Sequence, residues 1–267
     1  MKWGKVFLFY ILCFIVVLAV SGCSAGQANQ KGEETHDEKV TITVSAAASL
    51  QNALRDIQKD YNKKQKNVDV VFNFGGSGTL KQQIIQGAPV DLFFSADEDN
   101  FRELMNKGLI SKKKNLLGNK LVLITSGESS KTIIDFKSLG QSSVHRLAIG
   151  TPKSVPAGTY AKQTLTALNL WNKVKSKITY AKDVRQVLTY VETHNVDAGL
   201  VYQTDAKQSG KVKIVETAPD QAHDPIVYPL GVIKTTKHKK EAEHFFTYLQ
   251  TKEAMEVFQK YGFTILK

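Results

Sequence analysis

The sequence predicts an α/β protein in which a mostly parallel sheet is covered by helices. The chain has 267 residues, enough for one large or two ordinary domains. Its 42% apolar and 23% charged residues are typical of a globular protein, which excludes wholesale disorder and fibrous structure. Within the first half, a strand-like segment is followed by a helical pattern three times over, and this alternation indicates parallel strands joined by helices.

The first 22 residues have the layout of a secretory signal peptide. Lys2 and Lys5 precede an apolar run over residues 6–20, which is shorter than the ~20 residues that a membrane-spanning helix needs. The small residues before Cys23 resemble the bacterial lipoprotein box, in which the signal is cut before a cysteine that is then diacylated. An uncleaved anchor helix with an incidental cysteine is the alternative. The sequence thus predicts a lipid-anchored protein on the extracytoplasmic side of a bacterial membrane.

The segment that follows the signal is predicted to be a flexible tether. Residues 23–39 are rich in Gly, Gln, Asn, Glu and Lys and contain almost nothing apolar. Because Cys13 and Cys23 are the only cysteines, no disulfide can staple the folded body. The net charge of +11 suits an anionic partner or a solvated lysine surface. The lysines are scattered and no nucleic-acid-binding motif stands out, so we expect no nucleic acid partner.

Three strand-and-helix pairs open the body. The strands are rich in β-branched and aromatic residues and are predicted over Val40–Val44, Val68–Phe74 and Asp91–Ser95. Apolar residues then recur at helical spacing over Leu50–Tyr61, over Thr79–Gln86 and from Asp97 onward.

A second unit begins at Leu121. Its strands are predicted over Leu121–Thr125, Leu147–Gly150, Ala198–Tyr202 and Val212–Val215. Helices are predicted over Thr159–Leu168 and Asp183–Glu192, and two more close the chain around Phe245 and Phe258. The extended segment Ile226–Ile233 contains Pro229, which has no N–H, so we expect an edge or crossing segment there rather than a central strand.

Small or hydroxyl residues lie where three of the predicted strands give way to helices. These junctions are residues 46–50, 74–80 and 155–160. Ligands of open α/β sheets bind beyond the carboxyl ends of the strands, and helix N-termini offer free N–H groups to anions. Ser49 and Ser77 would add hydroxyl donors. Each serine alone is explained as well by a helix N-cap, but three such junctions favour an anion site.

No constellation for catalysis or metal binding stands out. The six histidines lack metal-ligand spacing, and no phosphate-binding loop is present. The segment from Gly75 to Thr79 lacks the last glycine of a nucleophile elbow. Asp97–Asp99 could hold a hard cation, although acidic residues that open a helix explain it better. We therefore predict neither an enzyme nor a resident metal or cofactor.

Six stretches of the body, in register, resemble the molybdate-binding protein of bacterial molybdate ABC transporters. They are AAASL (46–50), FGGSGTL (74–80), GAPVDLFFSAD (87–97), VPAGTYAK (155–162), DVRQVL (183–188) and GLVYQTDA (199–206). The resemblance implies a two-lobed periplasmic-binding-protein fold of the second topological type, each lobe a mostly parallel sheet with helices on both faces. The first lobe would comprise residues 40–119 plus 230–267, and the second residues 120–229.

The resemblance also implies the oxyanion contacts. Ser49 and Ser77 would each give a hydroxyl and a backbone N–H, Ala157 and Val184 a backbone N–H, and Tyr202 its phenolic O–H. One departure is the pair of glycines beside Ser77, where some members carry additional serines. Molybdate is a fully ionised tetrahedral dianion that only accepts hydrogen bonds, and four helix starts at ~+0.5 charge each would balance it.

Charged residues within or close to these motifs include Lys153, Asp183 and Arg185. Lys153 and Arg185 would steer the anion at most, because neutral donors already balance it. Asp183 would repel an anion unless it caps its helix with its charge turned aside.

The implied function is capture of molybdate, and of tungstate as its near equal in size and charge, for delivery to an ABC permease. We expect a monomer that contacts the membrane only through its lipid anchor. One alternative is the same role for another oxyanion, such as sulfate. Others are a secreted serine hydrolase that uses Ser77 or Ser49, and a signalling or adhesion module that kept the fold. Iron is disfavoured because no adjacent tyrosine pair offers phenolate ligands.

Overall fold

The computed structural model describes residues 39–128 and 133–266, and these belong to a compact unit that spans residues 38–267. The predicted signal peptide, Cys23 and all of the tether except Lys39 lie outside the described residues. Within the described ranges, none of the helices combines the length and the apolar character that crossing a membrane requires.

The first sheet contains six strands. In chain order they are β1 (Val40–Ala47), β2 (Val68–Gly75), β3 (Leu92–Phe94), β4 (Ile110–Gly118), β10 (Val227–Ile233) and β11 (Thr264–Ile265). Across the sheet the order is β11-β4-β10-β3-β1-β2.

The second sheet contains five strands, all from the middle of the chain. They are β5 (Leu121–Ser126), β6 (Leu147–Gly150), β7 (Ile178–Ala181), β8 (Ala198–Tyr202) and β9 (Val212–Thr217). Their order across the sheet is β7-β6-β8-β5-β9.

The helices divide between the two sheets. Those joined to the first sheet are α1 (Gln51–Lys64), α2 (Ser77–Ile85), α3 (Glu98–Asn106), α8 (Lys239–Tyr248) and α9 (Lys252–Lys260). Those of the second are α4 (Pro156–Ala167), α5 (Trp171–Val174), α6 (Val184–Glu192) and α7 (Gln203–Lys207). The closing helices return to the first sheet, because α8 packs on β1 and β10 and α9 packs on α1. We call each sheet with its helices a lobe.

Both sheets repeat one arrangement, which confirms the predicted two-lobed α/β fold. Strands β2, β1 and β3 are parallel, as are β7, β6 and β8. An inverted strand follows in each sheet, β10 in the first and β5 in the second. The next strands, β4 and β9, return to the original direction.

The sheets are therefore mixed. Most strands of each sheet run in the same direction, as predicted, but several neighbouring strands pair in antiparallel fashion. The inverted strands are the ones that the chain enters from the other lobe. Strand β5 starts just after β4 ends at Gly118, and β10 is reached from the second lobe after β9. A strand entered in this way is not constrained by the strand–helix–strand crossovers that make neighbouring strands parallel.

The expectation for Pro229 was half right: the chain crosses between the lobes into β10, but this strand is central and not at an edge. Strand β10 lies between β3 and β4, in the middle of the first sheet. The register with β4 shifts between Tyr228 and Pro229, and such an irregularity tolerates a residue without an N–H. The carbonyl of Pro229 still accepts a hydrogen bond from Ser95 N at 3.0 Å. The whole strand belongs to the first sheet, including the three residues assigned above to the second lobe.

Candidate anion-binding site

A small cavity lies between the lobes, at the carboxyl ends of β1 and β2 in the first sheet and of β8 in the second. It leaves about 190 Å³ free of atoms, part of it open to solvent. The lining combines all three junctions with residues of α6 and β8, namely Ala47, Ala48, Ser49, Gly75, Gly76, Ser77, Ala96, Val155, Pro156, Val184 and Tyr202. No charged side chain occurs among these described lining residues, so the polar groups that face the cavity are hydroxyls and backbone amides.

Pairing of β1 with β2 brings the two site serines together. Ala47 and Gly75 are partners at the ends of these parallel strands, and the chain turns into a helix just beyond each of them. Ser49 lies in the short 3-10 turn Ala48–Leu50, and Ser77 is the first residue of α2. Both side chains are buried.

The helix-cap alternative for the two serines is wrong. The N-cap of α1 is Leu50 and that of α2 is Gly76, and neither helix start has a side-chain cap hydrogen bond. The hydroxyl of Ser49 is instead hydrogen-bonded to Tyr228, and that of Ser77 to the backbone N–H of Ala96.

The hydroxyl of Ser77 is oriented as a donor. Its Oγ accepts a hydrogen bond from the backbone N–H of Ala96 at 2.9 Å. A hydroxyl offers one hydrogen and two lone pairs, so this contact uses a lone pair and leaves the hydrogen for another acceptor. Ser77 is thereby prepared to donate into the cavity that it lines.

A chain of hydroxyl and amide groups reaches Ser49 from the other end of the sequence. Ser49 Oγ and Tyr228 Oη are 3.0 Å apart, and Asn119 Nδ2 donates to Tyr228 Oη at 3.1 Å. Because Tyr228 accepts from Asn119, its own hydrogen can point at Ser49, and the Ser49 hydrogen is then free to point into the cavity. Burial raises the pKa of Tyr228, so the phenol keeps its proton.

On the second lobe, the start of α4 supplies a backbone donor. Pro156 is the first residue of α4 and has no N–H. Gly158 and Thr159 both donate to the carbonyl of Val155, at 2.9 and 3.2 Å. This leaves the N–H of Ala157 without an acceptor in its own helix. Ala157 does not itself line the cavity, but the two residues before it do.

The start of α6 supplies a second backbone donor, beside an acid that is used as a cap. Val184 is the first residue of α6 and Asp183 is its N-cap. Asp183 Oδ1 accepts from Gln186 N at 2.9 Å, which is the predicted capping role. The N–H of Val184, in the first turn, has no acceptor within the helix.

Tyr202 is a buried phenol that lines the cavity. Its side chain is 1% exposed, and its hydroxyl interacts with the phenol of Tyr228 without reaching good hydrogen-bond geometry. Burial raises the pKa of Tyr202 well above its usual value, so the group stays protonated. A protonated phenol that lines the cavity and has no well-formed bond to a protein acceptor can donate to an anion there.

Two charged groups lie behind the cavity rather than in it. Arg185 Nη1 donates to Asn52 Oδ1 across the lobes at 3.4 Å. Asp205 on α7 is 1% exposed and neither carboxyl oxygen has a hydrogen-bond partner among the described residues. Burial raises its pKa to about 7 against the opposing effect of Arg185. Near neutral pH this carboxyl is therefore only partly charged.

The described part of the chain shows neither a metal-binding cluster nor a base bonded to Ser49 or Ser77. No group of three or more His, Cys, Asp or Glu side chains is arranged to hold a metal ion there. Ser49 and Ser77 are hydrogen-bonded to Tyr228 and Ala96. A serine nucleophile needs a neighbouring base, and neither contact provides one.

Four of the five predicted contact residues, Ser49, Ser77, Val184 and Tyr202, line the cavity, and Ala157 follows two residues that do. The structure also shows partners that sequence analysis missed. These are Tyr228, Asn119 and the N–H of Ala96. Ala96 lies within a stretch already noted, whereas Tyr228 and Asn119 carry no local signal, because their role comes from the return of β10 into the first sheet.

Comparisons with known proteins agree with this geometry. Residues 42–264 match the family model described as bacterial extracellular solute-binding protein. A Bacillus subtilis protein named "Putative ABC transporter substrate-binding lipoprotein YvgL" is 52% identical over 262 residues, covering 97% of this chain and 98% of that protein. The molybdate-binding protein ModA of Escherichia coli is 42% identical over 230 residues, covering 84% of this chain and 89% of that protein.

A solved structure has the same arrangement. The periplasmic molybdate-binding protein of Azotobacter vinelandii matches with a TM-score of 0.77 at 27% sequence identity. The match covers 85% of this chain and 100% of that one. The two-lobed architecture described above is thus shared over nearly the full length of a known binding protein.

Proposed function

The chain belongs to the family of bacterial extracellular solute-binding proteins, and we propose that the solute it captures for its ABC transporter is molybdate, with tungstate as a second ligand. Membership in the family and the names of the relatives support a transport role rather than an enzymatic one. The cargo follows from the chemistry of the cavity together with the molybdate-binding relatives.

The uncharged, donor-lined cavity is the observation that carries this proposal. A dianion such as molybdate has only acceptor atoms, and every polar group assigned to the site can donate. The turn at Ser49 and the starts of α2, α4 and α6 contribute residues to the cavity lining, and the first N–H groups of a helix lack acceptors within it and carry ~+0.5 charge together. A lysine or arginine in contact would have to be desolvated on each binding event, and the cavity avoids that cost.

Five residues make the proposed contacts. Ser49 and Ser77 bind from the first lobe, each through its hydroxyl and backbone N–H. Ala157 and Val184 bind from the second lobe through backbone N–H groups, and Tyr202 through its phenol. The hydroxyl of Tyr202 supports this assignment, because it lines the cavity, keeps its proton and has no well-formed bond to a protein acceptor.

We also propose where the protein is anchored and what it contacts there. Cys23 carries the lipid that holds the chain on the extracytoplasmic face of a bacterial membrane, and the name of the Bacillus subtilis relative supports a lipoprotein. The chain acts as a monomer that hands its anion to the permease subunits. No nucleic acid and no resident cofactor take part.

Sulfate is the strongest competing cargo, since it has the same charge and shape but is smaller. Donors fixed on two lobes would reach a smaller anion less well. A titration of the purified full-length protein with molybdate, tungstate, sulfate and phosphate separates these cargoes. We expect molybdate and tungstate to raise the melting temperature, with ~2.7 kcal/mol of stabilisation at a hundredfold excess over Kd. Equal stabilisation by sulfate would refute the proposed cargo.

A further inference from the structure

The loop that presents Ser77 is in direct backbone contact with the opposite lobe. Gly78 N, in the first turn of α2, donates a hydrogen bond to Ser154 O at 3.0 Å. Ser154 belongs to the turn between β6 and α4, where its own N–H bonds to Thr151 O at 3.0 Å. The contact therefore joins the ligand-binding loop of the first lobe to the segment that leads into Ala157 in the second.

Two glycines make this approach possible. A Cβ atom placed on Gly76 would lie 2.6 Å from Ser154 O, and one on Gly78 would lie 2.8 Å from Ser154 Cα. Real Cβ atoms essentially never come so close to other atoms. The obstructing atoms belong to the backbone, so no side-chain rotation could relieve the clash, and the lobes would have to separate.

Backbone conformation does not explain why glycine occurs at these positions. Gly76 has φ −68° and ψ 132°, which is ordinary extended geometry. Gly78 lies inside α2 and is absent from the glycines with positive φ. Alanine is favoured over glycine within a helix, so local propensity disfavours the residue that is present at 78. The space between the lobes is the remaining physical reason.

We propose that Gly76 and Gly78 set how closely the two lobes approach, and that this distance determines the affinity for the bound anion. The inference rests on the proposed function. Ser49 and Ser77 belong to one lobe, whereas Ala157, Val184 and Tyr202 belong to the other, so both sets reach one small anion only at a fixed separation. Hydrogen bonds to it need about 2.7–3.2 Å between donor and acceptor.

A single methyl group at either position would break this match. Relieving the clash needs a displacement of roughly 0.5–1 Å, since carbon atoms in contact prefer separations of about 3.5–4.0 Å. That shift moves one set of donors beyond hydrogen-bond distance. Each lost bond to a charged acceptor lowers affinity about tenfold or more.

The test compares Gly78→Ala and Gly76→Ala with the wild-type protein and with Gly140→Ala. Gly140 is a matched control because its Cβ would meet only Lys173 Cδ, at 3.5 Å, away from the lobe contact. Calorimetric titration with molybdate gives Kd, and hydrogen exchange over residues 76–80 reports whether the amide at position 78 stays bonded to Ser154. Melting of the ligand-free protein reports folding.

We expect both interface variants to bind molybdate at least tenfold more weakly and to exchange faster over residues 76–80 when saturated. Gly78→Ala should still unfold cooperatively without ligand, because alanine suits the helix better and offsets part of the cost of the lost contact with Ser154. Gly140→Ala should bind as the wild type does. If both interface variants kept wild-type Kd and exchange protection, the inference would be overturned while the cargo assignment stood.

The same experiment detects failure of the proposed function separately. A wild-type protein that bound sulfate or phosphate but not molybdate would refute the cargo, and the variants would then be compared with the anion that binds. A wild-type protein that bound none of the four oxyanions would refute the proposed function, and the glycine inference would fall with it.

Discussion

The hydroxyl oxygens of Ser49 and Tyr228 lie 3.0 Å apart, although 179 positions separate the two residues. Ser49 follows β1, whereas Tyr228 lies on β10, the strand that the chain enters from the second lobe. Asn119, between β4 and β5, donates to the same phenol at 3.1 Å. The segments that connect the lobes thus supply a hydrogen-bond partner to the hydroxyl of Ser49, one of the proposed anion contacts.

Tyr228→Phe should weaken anion binding without placing any new group in the cavity. Without the phenol, Ser49 loses the partner that keeps its hydrogen aimed at the ligand. A neutral hydrogen bond contributes ~0.5–1.5 kcal/mol, so Kd should rise about three- to tenfold. Calorimetric titration with molybdate measures the change.

Tyr61→Phe is the matched control for this change. Tyr61 is also a buried phenol, with its Oη 3.0 Å from His244 Nδ1 on α8, away from the cavity. Both variants should lose some stability, but only Tyr228→Phe should lose affinity. Equal losses of affinity would show that the Ser49–Tyr228 bond acts through general packing instead.

Tyr202→Phe should lower affinity with little effect on stability. The phenol of Tyr202 is buried and interacts with Tyr228 without good hydrogen-bond geometry, so its removal should change the melting temperature little. With the anion bound, the same hydroxyl donates to a charged acceptor, and its loss should raise Kd about tenfold or more. A variant that melted lower and bound normally would contradict the assignment.

Much of the fold could be predicted from local patterns, because apolar periodicity directly reports which face of an element is buried. Strand β6 and strand β8 were predicted to the residue, and the N-cap of α6 at Asp183 was also predicted. Strand β4 was missed because three successive lysines, the exposed Lys112 and Lys113 and the half-buried Lys114, hide the alternation. The position of β10 was missed because a proline at a register shift resembles an edge signal.

The site could be predicted only in part from the residues alone. Hydroxyl and small residues at three strand ends indicated an anion site, since parallel strands end at one edge of a sheet. Tyr202 and Val184 entered only through the family resemblance. Tyr228 and Asn119 could not be found, because long-range pairing of β10 and not any local pattern brings them to Ser49.

Asp205 should make stability depend on pH near neutrality. The group titrates near 3.8 when unfolded and about 7 when folded, because burial disfavours its charge. Between those values the folded state keeps a proton that the unfolded state has released, so stability falls as pH rises from about 4 to about 7. The loss is at most roughly 4 kcal/mol, at about 1.4 kcal/mol for each unit of pKa.

Asp205→Asn should flatten this slope, because an amide does not titrate. Urea unfolding of both proteins at pH 4, 5.5, 7 and 8 measures the difference between them, in which the contributions of other acids cancel. Asp97, whose pKa burial also raises, leaves a residual slope in both proteins. Parallel stability curves for the two proteins would show that Asp205 is not held neutral in the folded state.

Cys23→Ala should abolish lipidation and release the protein from the membrane. Cys23 follows the small residues of the lipoprotein box, and its sulfur would carry the lipid. Labelling of cells with a radioactive fatty acid tests this directly. Cys13→Ala is the matched control, because Cys13 lies in the predicted signal peptide and its substitution should leave labelling unchanged. Label that persisted in Cys23→Ala would place the lipid elsewhere.

Ser77→Ala and Ser49→Ala should both weaken anion binding, but they should differ in how much folding stability they lose. Ser77→Ala removes a donor to the anion and also the acceptor of the buried Ala96 N–H. An unsatisfied buried N–H costs ~1–3 kcal/mol, so this variant should lose both affinity and stability. Ser49→Ala should lose affinity to a similar degree but less stability, because Tyr228 Oη retains the hydrogen bond from Asn119.

Val184→Ala completes this comparison, because the contribution proposed for Val184 is a backbone N–H that the substitution keeps. We expect Kd for molybdate to rise about tenfold or more for each serine variant, since each bond to a charged acceptor contributes ~1.5–3 kcal/mol. Val184→Ala should lose stability through its buried side chain but bind nearly as the wild type does. Calorimetric titration and urea unfolding of all three variants give both quantities. If Val184→Ala weakened binding as much as Ser49→Ala, packing of the lobe surfaces rather than the hydroxyl donors would govern affinity.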